Sequence, residues 1–399
     1  EDSLFLKNEG KKRYIKYRTI NPVRGTIYDR NNTPLAVSII NYDLYALNGL
    51  NTDRYLKLKD AISIQDDILI DGSFSQKTLL KKGLTLDEQK TINELHFNNI
   101  EIEIRHSRHY PLGDQIAPLI GFYGKDRAQE GIEKSYDSVL SGKNGKQKYY
   151  TNAKQKIISK PIEVIKTIQG QDIQLTIDST IQFYAYKYLV EAITNNKAKA
   201  GTVLVFDNKS GEILAIASYP SYNPNNPKRE IQKNRALIEA YELGSVLKPI
   251  VFSKAIDKKI FSPDAHIEIP RRLELGNTII TDPKIYEKLT PKEIVAYSSQ
   301  VGASKIALKL GYEDLKNNYY SFGFIKPISI NFPSAAFGLM KAKETGSDSE
   351  LASLGYGYGL KDSPFQLTAA SSTFANNGIR KEVKLLMNDE ITSQSVISE

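Results

Sequence analysis

The sequence predicts an α+β fold with an antiparallel sheet, in two domains over residues 1–160 and 161–399. The length of 399 residues exceeds what one compact core usually organises. Segments with the two-residue period of strands alternate with longer segments of helical period. The polar stretch 152–171 contains Pro161 and Gly170, as linkers and interdomain strands do. These observations predict two units that meet near residue 160.

The composition is that of an ordinary folded protein, with 40% apolar and 25% charged residues. The formal net charge is +8, from 54 basic and 46 acidic residues. Because the basic residues are spread along the chain and form no block, they indicate a lysine-rich composition and argue against nucleic acid binding. The absence of cysteine excludes disulfides, thiol catalysis and cysteine-ligated metals. No apolar run approaches the roughly 18 residues that a membrane span needs.

Segments of the first domain predict both strands and a helix. The runs "NYDLYAL" and "NIEIEIR" are rich in strand-forming residues. The segment "LTLDEQKTINELHF" predicts a helix, because Thr85 and Glu88 have the spacing of a capping box and apolar residues share one face. His106 and His109 have a spacing that also occurs in metal sites. A structural role in a loop is favoured for this pair.

The second domain begins with patterns of a strand, a helix and a hairpin. The run "DIQLTID" alternates like a strand, and "TIQFYAYKYLVEAI" continues as a helix that Asp178 or Ser179 can cap. The run "GTVLVFDNKSGEILAIAS" predicts two strands joined by a turn at 208–211. A long helical region follows, which completes an α+β layout.

The stretch "YELGSVLKP" contains a serine and a lysine with two alternative roles. After Gly244, Ser245 is a favoured helix N-cap, and Pro249 falls in the first turn, where its missing N–H costs least. In a helix, Lys248 lies on the same face as Ser245. A lysine whose pKa is lowered by burial can take the proton of a serine nucleophile. The alternative is a capping serine beside a solvated lysine.

A second stretch, "AYSSQVGASKIALKLG", favours the catalytic alternative. It places Ser298 and Gln300 ahead of a helical pattern and downstream of Ser245. Alone, a serine and a glutamine at a helix start are common structural residues. In this order after Ser-x-x-Lys, they indicate a nucleophile with a base and polar partners.

These motifs resemble those of a known family. "GSVLKP" followed by "SSQVGASKIAL" is similar to the first two active-site motifs, Ser-x-x-Lys and Ser-x-Asn, of the penicillin-binding transpeptidases. "RGTIYDRNNTPLAVS", "RHYPLGDQIAPLIGFYG" and "EGIEKSYDSVLSGKNGK" resemble segments of the non-catalytic pedestal of class B enzymes. "GEILAIASYPSYNPNNP" and "YGYGLKDSPFQLTAASSTFANNG" resemble stretches that flank the active site. The match extends over nearly the whole chain and is nearest to the division-specific FtsI-like branch.

The resemblance implies a fold and a mechanism. A penicillin-binding-protein or serine β-lactamase-like transpeptidase domain, with flanking helices on an antiparallel sheet, would follow an elongated mixed α/β pedestal of the class B dimerisation type. Ser245 would attack the penultimate D-Ala carbonyl of a stem peptide, with Lys248 as its base. Ser298 would relay the proton to the leaving amine, and Gln300 would bind substrate. The Ser245 backbone N–H would donate to the oxyanion, together with one from a later strand.

Two departures from the family pattern bear on activity. Gln300 stands where the family has asparagine, and a misplacement of its amide by about 1 Å can cost on the order of 100-fold in rate. The third family motif, Lys-Thr/Ser-Gly, does not follow "GYGYGL", and "KETG" lies upstream and interrupts the motif. We therefore expect a sequence that is incomplete at its C-terminus, in preference to a natural pseudoenzyme. "EDSLFLKNEGKKR" is expected to follow a membrane anchor.

Two classes of function remain open. The first is a DD-transpeptidase of septal cell-wall synthesis, on the periplasmic face of the bacterial inner membrane. The second is a catalytically inactive scaffold of the same fold, which recruits division partners through its pedestal. A serine β-lactamase or a penicillin sensor shares Ser-x-x-Lys, but neither needs a pedestal. "SGKNGK" lacks the Gly-Lys-Ser/Thr of a phosphate loop, which argues against nucleotide binding.

The resemblance also implies partners. Peptidoglycan stem peptides are the expected substrates and β-lactams the expected inhibitors. Because nothing in the sequence resembles a glycosyltransferase domain, glycan polymerisation is expected from a SEDS-type (FtsW-like) partner. The expected docking surface includes the pedestal around Arg24 and Arg30. No metal, organic cofactor or nucleic acid is implied.

Overall fold

The structure, a computed structural model, describes residues 14–64, 72–124, 127–152, 158–227 and 233–398. It contains two compact units made of interleaved segments. The first unit comprises Glu1–Thr26, Ala36–Tyr110 and Ser138–Asp172, and the second Ile27–Leu35, Pro111–Asp137 and Ile173–Glu399. A single domain boundary near residue 160 stays a prediction. The expected post-anchor segment 1–13 and part of the predicted linker, 153–157, lie outside the described residues.

The strands are short apart from a few in the first unit. They are β1 (Ile15–Ile20), β2 (Ile27–Tyr28), β3 (Pro34–Ala46), β4 (Thr78–Lys81), β5 (Ile100–His109), β6 (Tyr123–Gly124), β7 (Arg127–Ala128), β8 (Gly145–Tyr150), β9 (Ile162–Ile165), β10 (Ile173–Gln174), β11 (Gly201–Phe206), β12 (Ile213–Tyr219), β13 (Tyr241–Glu242), β14 (Ile267–Glu268), β15 (Leu273–Leu275), β16 (Thr278–Ile280), β17 (Lys288–Leu289), β18 (Leu339–Met340), β19 (Leu360–Asp362), β20 (Ile379–Lys381) and β21 (Ser393–Ser395).

The helices lie mostly in the second unit. They are α1 (Thr52–Ile62), α2 (Leu86–Glu94), α3 (Ala117–Ile120), α4 (Gly131–Ser135), α5 (Asp137–Leu140), α6 (Ser179–Asn195), α7 (Arg235–Ile238), α8 (Lys248–Asp257), α9 (Pro291–Ala296), α10 (Gln300–Leu310), α11 (Tyr312–Ser321), α12 (Asp348–Leu354) and α13 (Pro364–Ser372). Among the described residues, none of the helices is both long and apolar enough to cross a membrane.

The first unit is organised around β3. This strand pairs antiparallel with β4 and with β5, and "NYDLYAL" and "NIEIEIR" lie in β3 and β5 as predicted. The predicted capping box of α2 is confirmed, because Thr85 Oγ1 accepts from Glu88 N and Glu88 Oε2 accepts from Thr85 N. A separate antiparallel sheet has the order β1-β8-β9. Its strand β9 lies inside the segment predicted to be a linker or interdomain strand.

Strand β5 contains the two histidines with the spacing of a metal site. His106 and His109 are part of this strand, so the prediction of a loop is wrong. Successive side chains of a strand point to opposite faces, and residues three apart therefore face in opposite directions. The spacing that suits a metal on a helix does not bring these two rings together on a strand.

The second unit opens with the predicted helix and hairpin. Helix α6 is capped by Asp178, whose Oδ1 accepts from Thr180 N and Ile181 N. It packs on the antiparallel pair β11–β12, with Leu189 and Ala217 in the contact. The turn at 208–211 is confirmed. The predicted strand "DIQLTID" is shorter than its pattern, because only β10 has strand geometry and pairs parallel with β2.

Helices α8, α10 and α11 enclose the main core of the second unit. Burying one such aliphatic or aromatic side chain contributes about 1.5–3 kcal/mol. The apolar face of α8 continues directly from Lys248, so that the start of this helix is embedded in the core. Buried members of this cluster include Leu247, Ile250, Val251, Phe252, Ile294, Val301, Ile306, Leu315, Tyr319 and Phe322.

Candidate active site

Ser245 lies in a tight turn that leads into α8. Residues Gly244–Leu247 form a 3₁₀ turn, and the helix begins at Lys248 with Pro249 in its first turn. Gly244 has a φ of +65°, a conformation that favours glycine. The backbone of Gly357, from "GYGYGL", lies directly against it, with Gly244 N donating to Gly357 O over 3.0 Å. A Cβ on Gly357 would come within 1.9 Å of Gly244 O, so only glycine fits there.

The capping role that the sequence allowed for Ser245 is wrong. The residue before the helix is Leu247, which makes no side-chain capping bond to α8. Lys248 Nζ instead donates to Ser245 Oγ over 3.2 Å. Residues three apart in a 3₁₀ turn lie one above the other, which places the amine beside the hydroxyl.

Ser298 lies on the other side of the same amine. Lys248 Nζ donates to Ser298 Oγ over 2.9 Å and to the Ser298 carbonyl oxygen over 2.7 Å. Ser298 has a φ of +58°, in the left-handed region that a serine rarely occupies. The structure therefore brings together Ser245, Lys248 and Ser298, although Ser298 is 50 residues beyond Lys248 in the chain.

The amine of Lys248 is almost completely removed from solvent. Its residue is 1% exposed. Burial lowers the pKa of Lys248 from its ordinary 10.5 to about 8, against a smaller opposing effect of the Asp282 carboxylate. A lysine in this state is neutral for part of the time near neutral pH, and a neutral amine can accept the proton of a serine hydroxyl.

The helix that follows Ser298 begins one residue earlier than the sequence indicates. Ser299 is the N-cap of α10, and Gln300 is the first residue of the helix. The side chain of Ser299 accepts from Gly302 N over 2.9 Å and donates to Asp282 Oδ2 over 2.5 Å. Asp282 comes from a distant loop, and no sequence motif marked it.

Two family descriptions match this chain. Residues 19–175 match the penicillin-binding protein dimerisation domain, and residues 201–398 match the penicillin-binding protein transpeptidase domain. The chain is 32% identical to the probable peptidoglycan D,D-transpeptidase PbpC of Pseudomonas aeruginosa, covering 97% of this chain and 71% of PbpC. The chain belongs to the penicillin-binding proteins. The resemblance inferred from the motifs is thereby confirmed.

Further relatives of this penicillin-binding protein agree. It is 31% identical to the peptidoglycan D,D-transpeptidase FtsI of Escherichia coli K12, covering 96% of this chain and 68% of FtsI. A solved structure of a peptidoglycan synthase complex, described as coordinating polymerization and crosslinking, is 20% identical, with a TM-score of 0.81 over 100% of this chain and 80% of the other. The expected two-part fold, with a pedestal-type domain and a transpeptidase domain, is confirmed.

The penicillin-binding protein also contains a Lys-Ser-Gly tripeptide outside the expected position. Lys209, Ser210 and Gly211 precede Ser245 and form the β11–β12 turn. Asp207 Oδ1 accepts from Lys209 N and Ser210 N, and Gly211 has a φ of +72°. This tripeptide therefore has a structural explanation as a hairpin turn.

The described residues offer no group of three or more histidine, cysteine, aspartate or glutamate side chains that could hold a metal ion.

Gln300 is placed at the start of α10 by its backbone N–H, which donates to Asp282 Oδ1 over 2.5 Å. Its role in binding substrate stays a prediction.

Proposed function

We propose that this penicillin-binding protein is a D,D-transpeptidase that cross-links peptidoglycan stem peptides through an acyl-enzyme on Ser245. The observation that carries the proposal is the buried Lys248 amine, which touches both Ser245 Oγ and Ser298 Oγ. The relatives named as D,D-transpeptidases support the reaction, and the lowered pKa of Lys248 supports its role as base.

The acylation step transfers one proton through the cluster. Ser245 Oγ attacks the penultimate D-Ala carbonyl and gives its proton to neutral Lys248. The tetrahedral intermediate collapses when the bond to the terminal D-Ala nitrogen breaks. Ser298 Oγ passes the proton from Lys248 to that nitrogen, so terminal D-Ala leaves as a neutral amine and Lys248 is neutral again.

The second step forms the cross-link. An amine of a neighbouring stem peptide attacks the ester carbon of the acyl-enzyme, and Ser245 Oγ leaves. The amine loses a proton to the cluster, and Ser245 recovers one. The Ser245 backbone N–H is proposed as one donor to the oxyanion in both steps. A β-lactam, whose amide resembles the D-Ala-D-Ala end, would acylate Ser245 in the same way.

The test is acylation by a fluorescent penicillin, read as a mass increase of the intact protein. The unmodified chain and Ser253→Ala should both gain one adduct, and Ser245→Ala none. Ser253 is a matched control, because it lies on α8 and its hydroxyl donates to the Ile250 carbonyl oxygen over 2.8 Å. Absence of an adduct on the unmodified chain would count against the transpeptidase activity and would favour the inactive scaffold. The scaffold alternative is supported by Gln300, a glutamine where the family has asparagine.

The finer biological setting belongs to the same proposal. A role in septal synthesis at the periplasmic face of the inner membrane, through an N-terminal anchor, is supported by the similarity to FtsI. An FtsW-like polymerase is the proposed partner. Its docking is tested by charge reversal at Arg24 and at Arg30, with complex formation and unfolding measured together. If both quantities stay unchanged, the proposed surface is wrong.

Arg24 and Arg30 both have structural contacts that such a test must separate from docking. Arg24 is 8% exposed, and its Nη1 donates to Ser141 Oγ over 2.8 Å. Arg30 Nη2 lies 3.1 Å from Glu212 Oε2. A weakened complex supports the docking surface only where the free energy of unfolding is retained.

A further inference from the structure

The loop 281–287 connects β16 to β17 and contacts the segment that carries Ser298. Both ends of the loop are anchored in the core of the second unit, by Ile280 at 3% exposure and Leu289 at 4%. The loop contacts the turn at 297–300 through two side chains near its ends, Asp282 and Tyr286. Because its ends are anchored in the core, the loop can hold the turn at 297–300 in a fixed position.

The Asp282 carboxylate satisfies the exposed N–H groups at the start of α10. Its Oδ1 accepts from Gln300 N over 2.5 Å and from Val301 N over 3.2 Å, while its Oδ2 accepts from Ser299 Oγ. Ser299 Oγ in turn accepts from Gly302 N. The first N–H groups of a helix have no partner inside the helix, so these bonds fix where α10 begins.

The fixed helix start matters because Ser298 is strained. A serine in the left-handed region costs about 1–3 kcal/mol, and it keeps that conformation only where its surroundings impose it. Ser299, the next residue, is held by its N–H on the Ile294 carbonyl oxygen over 3.0 Å as well as by Asp282. These bonds to the backbone N–H and the side chain of Ser299 oppose a relaxation of Ser298 to a right-handed conformation.

The preceding residue is held by the same loop. The ring of Tyr297 stacks on the ring of Tyr286, with centroids 5.7 Å apart and an angle of 4° between planes. Aromatic pairs of this kind contribute about 0.5–1.5 kcal/mol beyond the area they bury. The loop thus holds the residues on both sides of Ser298.

We propose that Asp282 is a positioning residue of the active site, whose carboxylate holds Ser298 in its left-handed conformation and so keeps Ser298 Oγ and O on Lys248 Nζ. This inference rests on the proposed function for its effect on rate. Asp282 does not touch Ser245, and its action passes through Ser299 and the start of α10.

The carboxylate has a second effect on Lys248, through its charge. A negative charge nearby favours the protonated amine, so Asp282 opposes the effect of burial on the Lys248 pKa. Helices α9, α10 and α11 and the turns and strands around α8 carry other charged groups, namely Glu242, Lys254, Asp257, Lys284, Glu287, Lys292, Glu293, Lys305, Lys309, Glu313, Asp314, Lys316, Lys361 and Asp362. Of these, Asp314 pairs with Lys258, Glu313 with Lys316, and Glu293 with Thr290.

Position and charge can be separated with two variants. Asp282→Ala removes the carboxylate and every bond to it. Asp282→Asn keeps an oxygen that can accept from the N–H groups of Gln300 and Val301 but removes the charge. Asp207→Asn is the matched control, because Asp207 also accepts from two backbone N–H groups, in the β11–β12 turn.

The experiment measures the second-order rate of acylation by a penicillin from pH 6 to pH 10. We expect Asp282→Ala to lower the rate at the alkaline plateau about 10- to 100-fold, as misplaced catalytic groups do. Asp282→Asn should keep more of the plateau and should move the acid limb to lower pH, because Lys248 loses a proton more easily. Asp207→Asn should match the unmodified chain. Plateau and pH profile unchanged in Asp282→Ala would overturn the proposal.

A second readout does not depend on turnover. Lysines carrying ¹³C at Cε are titrated by NMR, and the Lys248 resonance is assigned as the one missing from Lys248→Met. Its midpoint should fall in both Asp282 variants through the lost charge, and should fall further in Asp282→Ala, where Ser298 also leaves the amine; it should stay unchanged in Asp207→Asn. If the unmodified chain is not acylated, the proposed function fails, and this readout still decides on Asp282. Equal Lys248 midpoints in Asp282→Ala and Asp282→Asn would then overturn its positioning role.

Discussion

Two buried ionisable side chains of the second unit, Lys248 and Asp29, are each 1% exposed, but different effects dominate their pKa values. Burial alone raises the pKa of a carboxyl, yet four hydrogen bonds onto Asp29 from Ser179, Thr33 and Asn31 outweigh burial and lower its pKa. Burial dominates at Lys248 and lowers its pKa to about 8. A buried charge whose hydrogen bonds outweigh the effect of burial stabilises a fold, whereas one for which burial outweighs its hydrogen bonds is ready to exchange a proton.

Lys248→Met provides the most severe test of this comparison. Methionine fills similar space but has no amine, so acylation by a penicillin should fall by about 10²–10⁴-fold, the usual contribution of a general base. The rate is measured by intact mass under excess penicillin. Asp29→Ala should leave the acylation rate of the folded protein unchanged. Equal losses in the two variants would remove the functional distinction between the two side chains.

Asp29→Ala should have the larger effect on stability. It leaves the N–H groups of Asn31, Thr33 and Ser179 without their acceptor at a part-buried site. Each group that water cannot reach costs about 1–3 kcal/mol, and because Asn31 and Thr33 are exposed residues we expect a total at the low end of the sum, about 3 kcal/mol. Urea unfolding of the second unit measures the loss. Asp207→Ala, a more exposed carboxylate with two backbone donors, should lose less. A similar loss in both variants would show that burial of Asp29 is irrelevant.

The pH dependence of stability should separate the two groups by the pH range in which it appears. Between about pH 8 and 10.5 the unfolded chain keeps a proton on Lys248 that the folded chain has released. The free energy of unfolding of the unmodified chain, relative to Lys248→Met, should therefore rise with pH in that window by up to about 1.4 kcal/mol per pH unit. Urea unfolding at pH 8, 9 and 10 checks this slope. A flat difference would mean that Lys248 keeps its ordinary pKa.

The stability from Asp29 also rises with pH, but in the acid range. Because its folded pKa lies below 3.8, its contribution is present above that value and is lost as the pH falls through the folded pKa. Unfolding of the unmodified chain and Asp29→Ala should therefore converge in acid. If the two proteins still differ by the full free energy of unfolding at the lowest pH, Asp29 does not stabilise the fold through its charge.

Arg30→Glu should have the smallest effect of the series. Glu212 Oε2 lies 3.1 Å from Arg30 Nη2, and Glu212 Oε1 lies 3.3 Å from Lys384 Nζ. The three charged side chains are partly exposed. Reversal places two carboxylates together but leaves Lys384 beside Glu212, so we expect a loss of about 1 kcal/mol in urea unfolding. Arg30→Met should lose less than Arg30→Glu. The same loss in both would show that charge plays no part there.

Local chemistry explains the parts of the fold that could be predicted from sequence. The Thr85 capping box, the Asp178 cap and the Gly211 turn each depend on residues within a few positions of one another. The order of the motifs around Ser245 and Ser298 was enough to indicate the family. The length of β10 was not predictable, because its neighbour β2 supplies only a short pairing partner.

The candidate site was predicted only in part, for a different reason. Ser245 and Lys248 are linked by their spacing, and the sequence could propose their contact. Asp282 lies in another loop and carries no local pattern that indicates its place. Gly357 belongs to a stretch that was expected to flank the active site, but no local pattern indicates its contact with Gly244. The left-handed conformation of Ser298 is equally invisible, because serine has no local preference for it.

The amino-acid sequence is sufficient to indicate the family, the two-part organisation, and the residues that can supply a nucleophile and its base. Only the folded chain shows that Lys248 is buried without a carboxylate bonded to its amine among the described residues, and that Ser298 contacts this amine. Residue types fix which protons can move, whereas a pKa depends on the solvent and charges that the folded chain places around a group. Those surroundings come from segments far apart in the chain, which only folding brings together.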